Sequence, residues 1–237
     1  DGAWRGYEDN LRNAAAALKS AKDLDNLDPK YFELVYRIAA ETGAPAEALQ
    51  KVFAEAVALD PLFQPLYNAR SSYLRTIWGG APGAIAKFAE ESVKRTRDSI
   101  GTGMYWIIAR NVVELSGAEG VQNCGLDWNQ IKAGYEDMMK RYPDNYERQA
   151  MFLKLAVKMK DRDAAAATIA RLGNAYNPKL VGMSPGEYAR HVAWVQMPRP
   201  ETSVPLIDAV KSGNVKQVEA LLRSGANVNG RSRNTPS

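Results

Sequence analysis

Cysteine and histidine are almost missing from this chain: Cys124 is its one thiol and His191 its one imidazole. An internal disulfide framework and a cysteine-based zinc cluster each need several thiols gathered in space, so neither can be built here. Metal sites that use a pair of histidines are excluded on the same ground. Long apolar runs are missing as well. No segment approaches the roughly 18 apolar residues that cross a bilayer as a helix, so membrane insertion is not expected. Nor is there a large excess of one charge: 31 basic residues face 27 acidic ones, a formal charge of +4. Lys94, Arg95 and Arg97 lie among Glu90, Glu91 and Asp98. Mixed signs at that spacing make a solvated helix face, not the one-sign stripe of a nucleic-acid binder.

What the chain does have is helical periodicity. Strand-like alternation is nearly absent, and segment after segment carries apolar residues at the spacing that lines one face of a helix. Trp4, Tyr7, Leu11, Ala14 and Leu18 form the first stripe. Asp28-Pro29 then predicts an N-cap with proline in the first turn of a helix running to about Glu41. Leu49, Val52, Phe53, Ala56 and Val57 share a face that stops at Asp60-Pro61, and a helix is expected from Phe63 to Ile77, ended by Trp78-Gly79-Gly80. Ile85, Phe88, Ala89 and Val93 mark the next helix. Met104 to Leu115 is apolar nearly all round, as a helix at the centre of a domain would be. Beyond a loop at 117–125, stripes through Ile131, Tyr135 and Met138, then Phe152, Leu153 and Ala156, predict two more helices, and Asp163 to Leu172 another. Ser184-Pro185-Gly186-Glu187 reads as a capping box that opens a helix through Val195. The proline-rich piece from Met197 to Pro205 marks a boundary.

Helix pairs that end in a proline step, with a large and then a small residue at set distances before it, resemble the second helix of tetratricopeptide repeats. Phe53, Ala56 and Pro61 follow that pattern; Tyr135, Met138 and Pro143 repeat it with methionine at the small position. The first helices lack the family's tryptophan, leucine, glycine and tyrosine pattern, so the likeness is to the architecture of stacked helical hairpins. Residues from Tyr67 to Glu91, with Trp78-Gly79-Gly80, are also similar to a bacterial helical domain family of unassigned function. Ser203 to Asn229 resembles an ankyrin repeat: Pro205-Leu206 and Ala209 in the first helix, Gly213 at its end, Val218, Leu221 and Leu222 in the second, and Gly225-Ala226-Asn227-Val228-Asn229 in the turn. Ile207 stands where that family usually has histidine, and Thr235-Pro236 looks like the start of a second repeat.

These resemblances imply an all-α chain: a right-handed α-solenoid of helical hairpins over residues 1–196, a linker at 197–203, and an ankyrin repeat at 204–237. One such repeat cannot bury its own face, so Leu206, Leu221 and Leu222 are expected to pack on one another and on the helices before the linker.

No set of residues for catalysis is evident. His191, beside Trp194 and the linker, is expected to pack or hydrogen-bond, and Cys124 between Asn123 and Gly125 to be an inert loop or packing residue. Gly101-Thr102-Gly103 and Gly79-Gly80-Ala81-Pro82-Gly83 precede helices but follow no strand and lack the lysine of a phosphate loop, so helix punctuation accounts for them. Glu90 with Glu91, and Asp161 with Asp163, read as solvated carboxylates. No metal, nucleotide or other cofactor is therefore expected.

A different signal lies in the middle of the chain, where Tyr67, Tyr73, Trp78, Tyr105 and Trp106 occur with Arg70, Arg75 and Arg110. Tyrosine, tryptophan and arginine dominate binding hot spots, although aromatics at helical spacing also make ordinary core. Tyr67, Arg70, Tyr73, Arg75 and Arg110 are the candidate partner-binding residues, with Asn227 and Arg231 of the ankyrin turn as a second surface. The expected partner is another protein, with no nucleic acid and no membrane insertion. Bacterial proteins that join helical to ankyrin repeats imply a scaffold or adaptor, or an inhibitor (immunity protein) of a bacterial toxin, in periplasm or cytoplasm. The alternative is an enzyme working in the aromatic and arginine region.

Overall fold

The computed structural model describes residues 2–22, 27–173, 176–197 and 204–226, together with residue 228, and every regular element among them is helical. None of these helices is long and apolar enough to cross a membrane. Close contacts divide the chain into two compact units, Asp1–Asn145 and Tyr146–Ser237. The division falls between two helices and not at the proline-rich segment, most of which lies outside the described residues.

The first unit contains α1 (Gly2–Ala21), α2 (Pro29–Glu41), α3 (Ala46–Leu59), α4 (Gln64–Tyr73), α5 (Ala84–Ile100), α6 (Gly103–Ser116), α7 (Glu119–Asn123) and α8 (Trp128–Arg141). Helix starts follow the local chemistry. The Asp28 carboxylate accepts the backbone N–H of Tyr31 at 3.1 Å, with Pro29 in the first turn, as the sequence predicts. Asp127 caps α8 in the same way through the N–H of Gln130, 2.8 Å away. In α1 the stripe of Leu11, Ala14 and Leu18 is half-buried, while the Trp4 side chain lies outside the described residues.

α6 is central to this unit and packs against α4, α5, α7 and α8. Every residue from Gly103 to Ala109 is buried, as are Asn111 and Val112. This matches the expectation for a helix apolar nearly all round. One polar group serves the packing: Asn111 Nδ2 donates to Ser71 Oγ at 2.8 Å, with Asn68 O and Ser72 Oγ each at 3.1 Å, and so ties α6 to α4. Bound in this way, a buried amide avoids the cost of an unmet donor.

The predicted helix from Phe63 to Ile77 is two elements, not one. α4 ends at Tyr73, Arg75 is extended (φ −67°, ψ 148°), and Thr76–Trp78 forms a single 3₁₀ turn. The Arg75 carbonyl accepts two N–H groups, from Trp78 at 2.9 Å and Gly80 at 3.1 Å, which folds the chain back on itself. Gly80 is bound to be glycine, because a Cβ there would lie 1.9 Å from the Leu74 carbonyl oxygen. The loop expected at 117–125 contains the short helix α7.

The second unit contains α9 (Tyr146–Lys158), α10 (Arg162–Leu172), α11 (Pro178–Val181), α12 (Pro185–Gln196), α13 (Val204–Lys211) and α14 (Val215–Arg223). α9 packs on α10 and α11, α10 on α12, and α13 on α14. Ser184 caps α12 by accepting the N–H of Glu187 at 3.2 Å. The Glu187 carboxylate turns to Lys154, 3.4 Å away, instead of completing a capping box. Arg162 gathers the end of α12: its Nη2 donates to the carbonyls of Trp194 and Met197, both at 2.6 Å. A Cβ on Gly225, in the turn after α14, would sit 4.0 Å from Arg162 Cδ, so the last hairpin meets α10 at that arginine.

The expected burial of the last hairpin holds only in part. Leu206 (8% exposed) and Ala209 are buried, but Leu222 is 37% exposed and α14 has no buried residue. The stripe of α14 is amphipathic, yet its main packing partner is α13. Leu206→Ala is accordingly expected to cost about 2 kcal/mol and Leu222→Ala about 1 kcal/mol or less. Urea denaturation of the two variants measures the difference, and equal losses would show that α14 is covered.

Candidate functional site

The aromatic and arginine cluster read from the sequence is pulled apart by the fold. Tyr67, one of the binding candidates, lies in the core. It is fully buried; its ring meets Phe53 edge-on at 5.4 Å and stacks on Phe88 at 6.0 Å. Its hydroxyl donates to the Pro61 carbonyl at 2.8 Å, closing the turn between α3 and α4. Burial pushes this phenol up to about 12. Tyr105 and Trp106 are buried as well. The apolar rings were drawn inward because they are the largest surfaces that burial can remove from water.

Arg70 covers part of that core. Its guanidinium carbon lies 4.3 Å from the Phe53 ring centre and 5.0 Å from that of Phe88, and Nη2 donates to Gln50 Oε1. Two faces of aromatic π-density thus stand in for the polar partners that its buried Nε and Nη1 lack. Burial pulls its guanidinium below the ordinary value. Arg110 is occupied locally: Nε is 3.8 Å from Glu114, one turn further along α6, and the side chain is largely covered. Asn227 and Arg231 lie outside the described residues.

Tyr73 and Arg75 lead to a surface that sequence reasoning only touched. The Tyr73 hydroxyl donates to Glu41 Oε1 at 2.6 Å, which anchors the end of α4 to the end of α2. Burial and then this bond push the phenol upward. Tyr73 is 6.3 Å from the buried ring of Tyr36 and 5.7 Å, edge-on, from that of Trp78. Trp78 and its neighbour Ile77 point outward, 57% and 73% exposed. The tight return at Gly79 and Gly80 leaves these two large apolar side chains on the outside of the turn.

Beside them is a pocket of about 180 Å³ with mostly apolar walls, lined by Arg75, Ile77, Ala84, Ile85, Ser116 and Cys124 among others. Arg75 Nε donates to the Ser72 carbonyl at 3.1 Å, which steadies the guanidinium at the wall. Cys124 is half-buried, and burial pushes its thiol above the ordinary value, against the pull of Arg75. At neutral pH the thiol is therefore protonated, a poor nucleophile. No protein-family model, curated protein or solved structure matches this chain. The arrangement therefore has to be judged by its own chemistry.

His191, in the other unit, is held below its ordinary value, chiefly by burial, with Glu187 3.8 Å away. It is neutral at pH 7. Among the described residues no three His, Cys, Asp or Glu side chains gather in a way that could hold a metal ion. Of the expected site residues, Tyr73 and Arg75 share the surface around the 3₁₀ turn, while Tyr67, Arg70 and Arg110 have packing or local partners. Ile77 and Cys124, which line the neighbouring pocket, were not among those candidates. The Trp78-Gly79-Gly80 step could have flagged Ile77, since glycines that force a return expose the residues before them. Nothing local could have placed Cys124 next to Arg75.

Proposed function

We propose that this chain is a protein-binding module, a scaffold or adaptor, whose contact surface centres on Ile77, Trp78 and the pocket at Arg75. The observation that carries the reading is the exposure of Ile77 and Trp78 on a turn that glycine geometry holds in place. A tryptophan in water forgoes a large burial gain, and adjacent exposed apolar side chains mark interaction sites. Their preorganised backbone lowers the entropy cost of docking.

The architecture in this reading is a solenoid of helical hairpins over residues 1–196, with an ankyrin repeat as the last hairpin described. Support for the solenoid comes from the row in which α2 packs on α4, α4 on α6 and α6 on α8, each two elements along. Support for the repeat comes from α13 and α14, joined through Gly213 (φ 68°) and followed by Gly225 (φ 90°), at the positions that carry the resemblance.

The test is affinity capture with the full chain and with Trp78→Ala side by side. The variant is expected to weaken recovery of a stoichiometric partner by about tenfold or more, while its thermal midpoint stays in place. Equal recovery by both proteins would move the interface away from the turn.

A further inference from the structure

The pocket beside the exposed turn has room for one side chain. Its volume is about 180 Å³, and an apolar cavity of about 150 Å³ holds a benzene ring. Its walls are mainly apolar, yet one carries a positive charge. Arg75 spends Nε on a backbone carbonyl, and no carboxylate among the described residues pairs with it. The first turn of α5 adds to this potential. Its N-cap, Gly83, has no side chain with which to cap the first turn, and Ala84 and Ile85 at the start of that 17-residue helix line the pocket. A molecule small enough to lie wholly inside the pocket would touch Ile77 but leave Trp78 uncovered. The occupant therefore extends beyond the mouth, as a polypeptide does.

Resting on the protein-binding reading above, we infer that the pocket receives one apolar side chain of a partner peptide whose adjacent residue is aspartate or glutamate, its carboxylate pairing with Arg75. Arginine suits this because its planar fork takes a carboxylate bidentately, and the half-covered site screens the pair less than open water does.

Panning a random-peptide display library against the immobilised full chain tests the inference, with synthetic versions of the enriched peptides measured by fluorescence anisotropy. The enriched sequences are expected to pair Leu, Ile, Met or Phe with an adjacent acid. Converting that acid to its amide should weaken binding by about tenfold or more. This arm alters only the peptide, so it does not depend on how any variant folds. Arg75→Glu should lose the peptide and regain it when the acid is exchanged for lysine. Cys124, the only thiol in the chain, reports occupancy: bound peptide should slow its reaction with an aromatic disulfide reagent by about tenfold. Peptides that keep their affinity as amides would overturn the acidic requirement and leave the protein-binding reading standing. Peptides that leave the Cys124 rate unchanged would place binding elsewhere and overturn the pocket. A library that yields no binder would overturn the inference and the reading together.

Discussion

Replacing Trp106 by alanine is expected to remove about 3 to 5 kcal/mol of stability from residues 1–145, the range for truncating a large buried aromatic. Trp106 is 1% exposed and meets the buried Tyr135 ring edge-on at 5.7 Å, joining α6 to α8. The cavity would not collapse easily, because the two helices already touch through their backbones. A Cβ on Gly134 of α8 would lie 2.7 Å from the Thr102 carbonyl oxygen and 3.0 Å from the Trp106 nitrogen. Gly134→Ala is therefore expected to destabilise by about 1 to 3 kcal/mol despite its gain in helix propensity, since neither backbone atom can move aside cheaply. Urea denaturation gives both values. A loss below about 1 kcal/mol for Trp106→Ala would show that α6 is not the centre of this unit.

Arg162→Ala is expected to cost about 2 to 4 kcal/mol, felt in residues 146–237. One guanidinium nitrogen holds two carbonyls at the end of α12, each at 2.6 Å, and its carbon lies 5.5 Å from the centre of the Trp194 ring. Those carbonyls are the unsatisfied acceptors left by a helix C-terminus, where positive charge is also favoured by the helix dipole. Arg162→Lys should recover only part of the loss, because an ammonium is a shorter-reaching, more strongly hydrated point charge and lacks the planar guanidinium that lies over the Trp194 ring. Amide hydrogen exchange can test this with spatial detail. Protection should fall in α12 and in the turn around Gly225, while α6 and α8 keep theirs. Unchanged protection in α12 would mean that the helix end is held by other groups.

Several helix ends were legible in the residues themselves. Asp28 before Pro29 and Ser184 before Pro185 cap α2 and α12 because a cap needs only a side-chain oxygen within reach of an N–H two or three residues on. The centrality of α6 was legible too, since a helix apolar on all sides must be covered on all sides. The candidate site was read less well. Tyr67, Tyr73 and Trp78 have similar local surroundings in the sequence, yet one is core, one is a half-buried anchor and one stands in water. Leu222 shows the same limit, since its stripe is correct but little covers it.

By itself the sequence determined the helical character of this chain, the places where most helices begin and end, and which side chains share a face. Each of these depends on residues within a turn or two of one another, so periodicity, caps and glycines express it directly. Only the tertiary structure decided which faces are covered. It sent Tyr67 into the core, laid Arg70 over Phe53 and Phe88, set Arg75 beside Cys124 and locked Arg162 onto the end of α12. Those outcomes rest on contacts between residues far apart in the chain, where burying apolar surface and satisfying polar groups are settled by the packing of whole helices.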